Sequence, residues 1–257
     1  MENIYAGVSI TNTKVIFNWT SDNADTDILK LAKPNYGEVL INDIPVIYGY
    51  EFTPRASSSD KKVFRDYIKS NALISEDVQQ LVELGILHLD YMFSLSKLGY
   101  AVHPQSRTGY DLVTLMGNWI MEYSDATMSD FELIKEAYQN VTFDAAKAKV
   151  ALRKRNIPER EIDNIISDVT RRFNALKQTD KLFEIKMFLP REIRSGFLNY
   201  FKFATDDERI AYEALQGVDV LVYDDLATSG ATLKEINRYL TAINPNNTLH
   251  SFVLLHQ

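Results

Sequence analysis

The stretch Val220-Leu221-Val222-Tyr223-Asp224-Asp225-Leu226-Ala227-Thr228-Ser229-Gly230-Ala231-Thr232 places four apolar residues, two acids and a small polar turn in succession. Adjacent carboxylates can accept hydrogen bonds from a vicinal diol or approach a hydrated Mg²⁺ ion. The turn Ala227-Thr228-Ser229-Gly230 offers backbone N–H groups and hydroxyls where a helix begins. Unpaired donors and the helix dipole both favour a phosphate there. Gly230 permits a close backbone approach, and Thr232 keeps its hydroxyl in reach one step further on. Such a loop reads both ends of a phosphorylated ribose. The plainer alternative is a solvated strand end followed by a capped helix start.

Elements must hold these groups. Val218 to Tyr223 has the apolar, β-branched character of a buried strand, Asp224 to Gly230 reads as a loop, Ala231 to Ile243 as a helix and Leu249 to Leu255 as a last strand. Strand, loop, helix, strand implies a right-handed crossover in a parallel sheet. Ligands of such sheets gather beyond the carboxyl ends of the strands, where Asp224 and Asp225 fall. Upstream, Tyr100-Ala101-Val102 leads into the polar loop His103 to Gly109, and Tyr110 to Tyr123 has helical length and spacing.

At these residues the chain resembles the type I phosphoribosyltransferases, whose motif is four apolar residues, two acids and a Thr/Ser-Gly-x-Thr turn. The resemblance implies an α/β fold: a type I phosphoribosyltransferase-like parallel sheet flanked by helices, with a β-rich N-terminal addition and a helical insertion. It implies that Asp224 and Asp225 contact the ribose hydroxyls of phosphoribosyl diphosphate (PRPP) and, directly or through water, Mg²⁺. Ala227, Thr228, Ser229, Gly230, Ala231 and Thr232 would grip the 5′-phosphate. By position, Ser106, Arg107, Thr108 and Gly109 correspond to the family's diphosphate loop, and such a sequence supplies backbone donors and one guanidinium. A plain loop with a helix cap would look similar.

Leu182 to Phe203 alternates aromatic residues with cations around Pro190 and Gly196, the pattern of a basic β-hairpin or mobile flap. In position it resembles the family's flexible loop over PRPP, which makes Lys186, Arg191 and Arg194 catalytic candidates beside the acid pair; solvated surface charges are the alternative. His103 is not assigned catalysis, because a single histidine near a strand end is more often packed or hydrogen-bonded.

The rest of the chain sets bounds. Residues 1–60 read as the β-rich addition, with a hairpin turn at Thr11-Asn12-Thr13, another at Asn42-Asp43, and no match to a known base-binding hood. Residues 61–257 read as the core, with helices from Lys61 and from Ser75-Glu76-Asp77, a strand in Phe131 to Tyr138, a helical insertion at about 141–177 broken at Ile157-Pro158, and the flap at about 182–203. The 257 residues, 46% hydrophobic, suffice for a sizeable core. A net charge of −7 gives no basic footprint for general nucleic-acid binding. The absence of cysteine removes disulfides and thiolate chemistry. No secretory signal or membrane-length apolar run is visible, so a cytoplasmic location is expected.

The function this implies is transfer of ribose 5-phosphate from PRPP to a nitrogen base with release of diphosphate. The partners would be small molecules, PRPP and a base, with neither membrane nor nucleic acid indicated and a homodimer allowed for. Two other readings stay open: a non-catalytic PRPP or nucleotide sensor, and a scaffold or interaction protein on the same fold.

Overall fold

The computed structural model describes residues 7–19, 27–31, 38–41, 44–106, 109–124, 129–227 and 230–256. The chain forms two compact units, one of residues 1–131, 216–228 and 246–257 and the other of residues 132–215 and 229–245.

The first unit is an α/β structure. It begins with a hairpin of β1 (Gly7–Thr11) and β2 (Lys14–Asn18), closed opposite Thr11 and Lys14. Asn12 and Thr13 between them both have positive φ, 49° and 66°, the twist that a two-residue hairpin turn requires. β3 (Leu29–Leu31) follows, then β4 (Glu38–Ile41), which pairs antiparallel with β5 (Ile44–Phe52). Residues 42 and 43, read as the turn of this second hairpin, lie outside the described residues.

Helix α1 (Ser58–Asn71) starts at a reciprocal cap in which Ser57 and Asp60 each bond the other's backbone N–H. Ser75 caps α2 (Glu76–Met92). After β6 (Leu98–Pro104) comes α3 (Tyr110–Tyr123), with the bounds its apolar spacing predicts. No helix among the described residues is long and apolar enough to cross a membrane.

β7 (Ser129–Lys135) runs from the first unit into the second. There β8 (Thr142–Phe143) and the helices α4 (Ala145–Arg153) and α5 (Glu159–Leu176) make up the helical stretch, with Pro158 at the start of α5 where its missing N–H costs nothing. α5 buries Ile162, Ile166, Val169 and Phe173, one face at helical spacing.

Residues 182–203 do not form the expected hairpin. They run through two short 3₁₀ turns, Ile185–Met187 and Arg191–Gly196, into β9 (Phe197–Leu198) and β10 (Phe201–Phe203). β9 pairs with β8 and β10 with β7, so neither folds back on the other. The reason is burial: Phe183, Phe188, Ile193, Phe197, Tyr200, Phe201 and Phe203 are all core residues, more apolar surface than one face of a hairpin can hide. A further helix, α6 (Asp206–Glu213), opens on the capping box Thr205 and Glu208.

β11 (Asp219–Ala227) returns to the first unit, α7 (Ala231–Ile243) belongs to the second, and β12 (Thr248–His256) ends in the first. The first unit's strands lie in the order β6-β11-β12-β5-β3-β1-β2. The pairs β6–β11, β11–β12 and β12–β5 are parallel, and the remaining pairs antiparallel. β5, which falls within the N-terminal addition by sequence, is thus an inner strand of the parallel region. One continuous core joins Leu221, Tyr223, Phe252 and Leu254 of the strands to Phe64 and Ile68 of α1, Leu81 and Ile86 of α2, and Leu112 and Met116 of α3.

Candidate functional site

β11 is the central parallel strand that the acid pair was expected to end, and it runs further than expected. Asp224 to Ala227, read as loop, stay in the strand because β12 continues beside them: Asp224, Leu226 and Ala227 pair with Val253, Leu255 and His256. The pairing with β6 stops earlier, at Val222 opposite Val102. The two acids therefore sit past the point where β6 leaves the ladder, at the carboxyl end of parallel strands.

Remaining in the strand has a consequence for geometry. Successive side chains of a strand leave on opposite faces, so Asp225 shares a face with Leu221 and Tyr223 while Asp224 shares the other with Val220 and Val222. Leu221 and Tyr223 belong to the core under α1, α2 and α3, and Asp225 accordingly lies on the helix-covered face. Asp224 Oδ1 accepts a hydrogen bond of 2.8 Å from the Asp225 amide.

On that face three segments distant in sequence converge. Lys69, in the last turn of α1, forms an ion pair with Asp225 Oδ2; the two side chains are only 20% and 9% exposed. That oxygen takes no hydrogen bond of ordinary geometry among the described residues, so the contact is charge against charge. Ser106, in the loop after β6, accepts the Gly109 amide on its Oγ at 3.0 Å, and Gly109 is the residue from which α3 starts. A Cβ on Gly109 would lie 2.5 Å from Asp225 Oδ2, 2.9 Å from Ser106 Oγ and 3.3 Å from Lys69 Nζ. The backbone there, at φ −124°, suits any residue, so it is the space, filled by charged and hydroxyl groups, that calls for glycine.

The structure thus brings together Asp225, Ser106 and Gly109, and adds Lys69. Arg107, Thr108, Thr228 and Ser229 lie outside the described residues. His103 keeps the packed role: its ring lies 5.3 Å from that of the buried Tyr223, and its Nδ1 is 3.4 Å from the Pro104 carbonyl oxygen. Nothing in the sequence marked Lys69, because a lysine in the last turn of an amphipathic helix is common on dipole grounds alone.

The other candidates belong to the second unit. Gly230, with φ +65°, is the residue before α7, a left-handed conformation that glycine adopts without strain. Ala231 and Thr232 open that helix, and the Ala231 carbonyl accepts a hydrogen bond of 3.0 Å from the buried Tyr200 hydroxyl. Of the three candidate cations in 182–203, Lys186 and Arg191 are exposed. Arg194 is turned inward and donates from Nε and Nη2 to the carbonyls of Phe188 and Lys186, each at 3.2 Å. Burial, and next the charge of Arg191, lower its pKa from the ordinary arginine value.

Chemically, the first-unit group offers a buried carboxylate, an ammonium, a hydroxyl and the start of a helix within one small space. Carboxylate oxygens are the hard donors that Mg²⁺ prefers, but because Asp224 leaves β11 on the face opposite Asp225, the two acids do not converge here as the sequence pattern implied, and Asp225 alone joins this group. Comparison with protein-family models and with characterised proteins gives no match for this chain.

Proposed function

We propose that the chain binds PRPP and transfers its ribose 5-phosphate to a nitrogen base. The observation that supports this best is the meeting of Asp225 with Ser106 and Gly109 at the ends of β11 and β6. These are the two sequence segments, otherwise far apart, that the type I phosphoribosyltransferase pattern assigns to the ribose and to the diphosphate.

In this reading the ligand's diol faces Asp225 and its diphosphate faces the loop that leads into α3. The C1–O bond to diphosphate breaks as a C1–N bond forms; diphosphate leaves with the electron pair and the base gives up a proton. Positive charge grows on the sugar and negative charge on the leaving group, so the chain's task is positioning and electrostatic support. Asp225, the acid on the helix-covered face, would hold Mg²⁺ through water, and the ion would neutralise phosphate charge; Asp224, on the other face of β11, accepts the Asp225 amide.

Calorimetric titration with PRPP and Mg²⁺, followed by a screen of bases for diphosphate release, tests the proposal. Binding with release in the presence of one base is expected. Absence of PRPP binding overturns it. A second reading, a PRPP or nucleotide sensor, draws support from Arg194: a flap cation engaged with its own backbone is not free to serve a leaving group. Binding with no release for any base would select the sensor.

A further inference from the structure

Resting on that reading of the site, we infer that Lys69 and Asp225 are a ligand-exchanged pair. In the free protein each neutralises the other. When PRPP binds, the Lys69 ammonium passes to the diphosphate at Ser106 and Gly109, and the released Asp225 carboxylate accepts the ribose hydroxyls.

The geometry carries this. Lys69 Nζ and Asp225 Oδ2 both border the volume that a Gly109 side chain would fill, so the ammonium already stands at the loop assigned to the diphosphate. A small torsional change at the end of a flexible lysine stem suffices for the transfer, whereas Asp225 is held on its strand. Apart from that ion pair Oδ2 has no hydrogen bond among the described residues, so departure of the ammonium leaves it an acceptor for a hydroxyl donor. Neither charge is stranded at any stage. A buried ion deprived of its partner is costly, and the ligand supplies one replacement for each: an anion for the ammonium and hydroxyl donors for the carboxylate.

A purely structural ion pair makes a different forecast. In that case α1 is merely fastened to β11, and removing Lys69 affects folding and leaves affinity for small anions as it was. If the pair exchanges, Lys69 contributes a charge-assisted contact to diphosphate but none to a ribose 5-phosphate lacking it.

Because Lys69→Met alone strands a buried carboxylate, the measurement compares Asp225→Asn with the double variant Lys69→Met/Asp225→Asn, neither of which holds an unpaired buried acid. Each is titrated calorimetrically with inorganic diphosphate and with ribose 5-phosphate, and the parent with PRPP. Removing Lys69 should weaken diphosphate binding about ten-fold or more while ribose 5-phosphate changes less than about three-fold. In the Asp225→Asn background, Lys69→Arg should keep most of the diphosphate affinity. Equal diphosphate affinity with and without Lys69, or an equal loss for both ligands, overturns the exchange. If the parent binds PRPP in either of those cases, the site reading stands without it; if the parent binds no PRPP, the site reading itself fails.

Discussion

The two units are held together by different means. The first is aliphatic and periodic: its apolar residues recur at strand and helix spacing, and each element buries one face against a shared core. The second leans on rings. Phe173 alone meets the rings of Tyr138, Phe143, Phe183, Phe188 and Phe197, with centroids 5.3 to 6.5 Å apart. Several of those rings come from irregular backbone. Periodic burial fixes which face of a strand is covered, and hence which acid turns toward the helices. A ring cluster fixes position through a few large contacts and leaves the backbone irregular.

The sharpest way to break this contrast is at Phe173. Replacement by Ala removes a buried ring at the centre of the cluster and should cost about 3–5 kcal/mol, read as a lowered urea midpoint. The more telling comparison is Phe173→Leu with Phe64→Leu. Both phenylalanines are buried, but Phe64 meets only Phe17 and Phe52 among the ring pairs of the described residues. Edge-to-face pairs add about 0.5–1.5 kcal/mol each beyond burial, so the Phe173 variant should lose more, by about 1 kcal/mol or above. Equal losses would show that the rings act as bulk apolar volume, like the aliphatic core.

The same contrast explains what the sequence disclosed. The helices α1 and α2 were legible because cap residues and apolar spacing agree, α3 and α7 because apolar spacing follows a glycine, and β11 and β12 because runs such as Val218 to Tyr223 have few other uses. At 182–203 the hairpin alternative fails: alternating aromatic and basic residues look like a hairpin, whereas the segment's ring partners, Tyr138 and Phe173, are set by tertiary contacts that no local pattern records. At the site, Asp225, Ser106 and Gly109 were legible from local chemistry. Lys69 was not, since its meeting with Asp225 depends on how α1 lies against the sheet. That Asp224 and Asp225 leave on opposite faces became visible only once β12 was seen to extend the strand beyond Tyr223.

A second test concerns how the ring-rich unit handles charge. Glu235 on α7 is 3% exposed and fully answered: Arg238 donates to both its oxygens at 2.7 Å, and the Asn199 amide donates to Oε1. Asn199 itself sits at φ +61° and accepts a 2.6 Å hydrogen bond from Arg238. Glu235→Ala leaves the amide and the guanidinium without their acceptor and should cost about 2–3 kcal/mol. Glu235→Gln, which keeps an acceptor oxygen, should recover part of that. If both variants unfold at the parent's midpoint, the network only decorates the aromatic core.

Gly109 probes the opposite case, a periodic unit that leaves a small space filled by polar groups. A Cβ 2.5 Å from Asp225 Oδ2 must displace the carboxylate or the helix start, and overpacking of this kind costs about 1–3 kcal/mol. Gly109→Ala should therefore lower the unfolding midpoint and weaken PRPP binding together. Loss of stability with unchanged affinity would separate the packing role of this glycine from the ligand site.

The smallest expected difference lies in a buried polar group that the first unit leaves unanswered. His88 on α2 is 7% exposed, and its Nε2 finds no hydrogen-bond partner among the described residues, in contrast to Glu235. Burial lowers its pKa from the ordinary 6.5, so the folded chain favours the neutral ring. Above the unfolded value both states are neutral and stability is full. As pH falls through about 6.5 the unfolded chain takes up a proton that the folded chain refuses, and stability drops by at most about 1.4 kcal/mol per pH unit for one such group. Urea midpoints measured from pH 7.5 to 5.5 should decline. His256, whose pKa is also lowered by burial while Glu51 opposes the shift, should contribute a part of that slope. His88→Leu should flatten the decline without abolishing it, because an aliphatic side chain has no proton to gain in either state. An unchanged slope in His88→Leu would assign the pH dependence to His256 and to the carboxylates, and would leave His88 as packing alone.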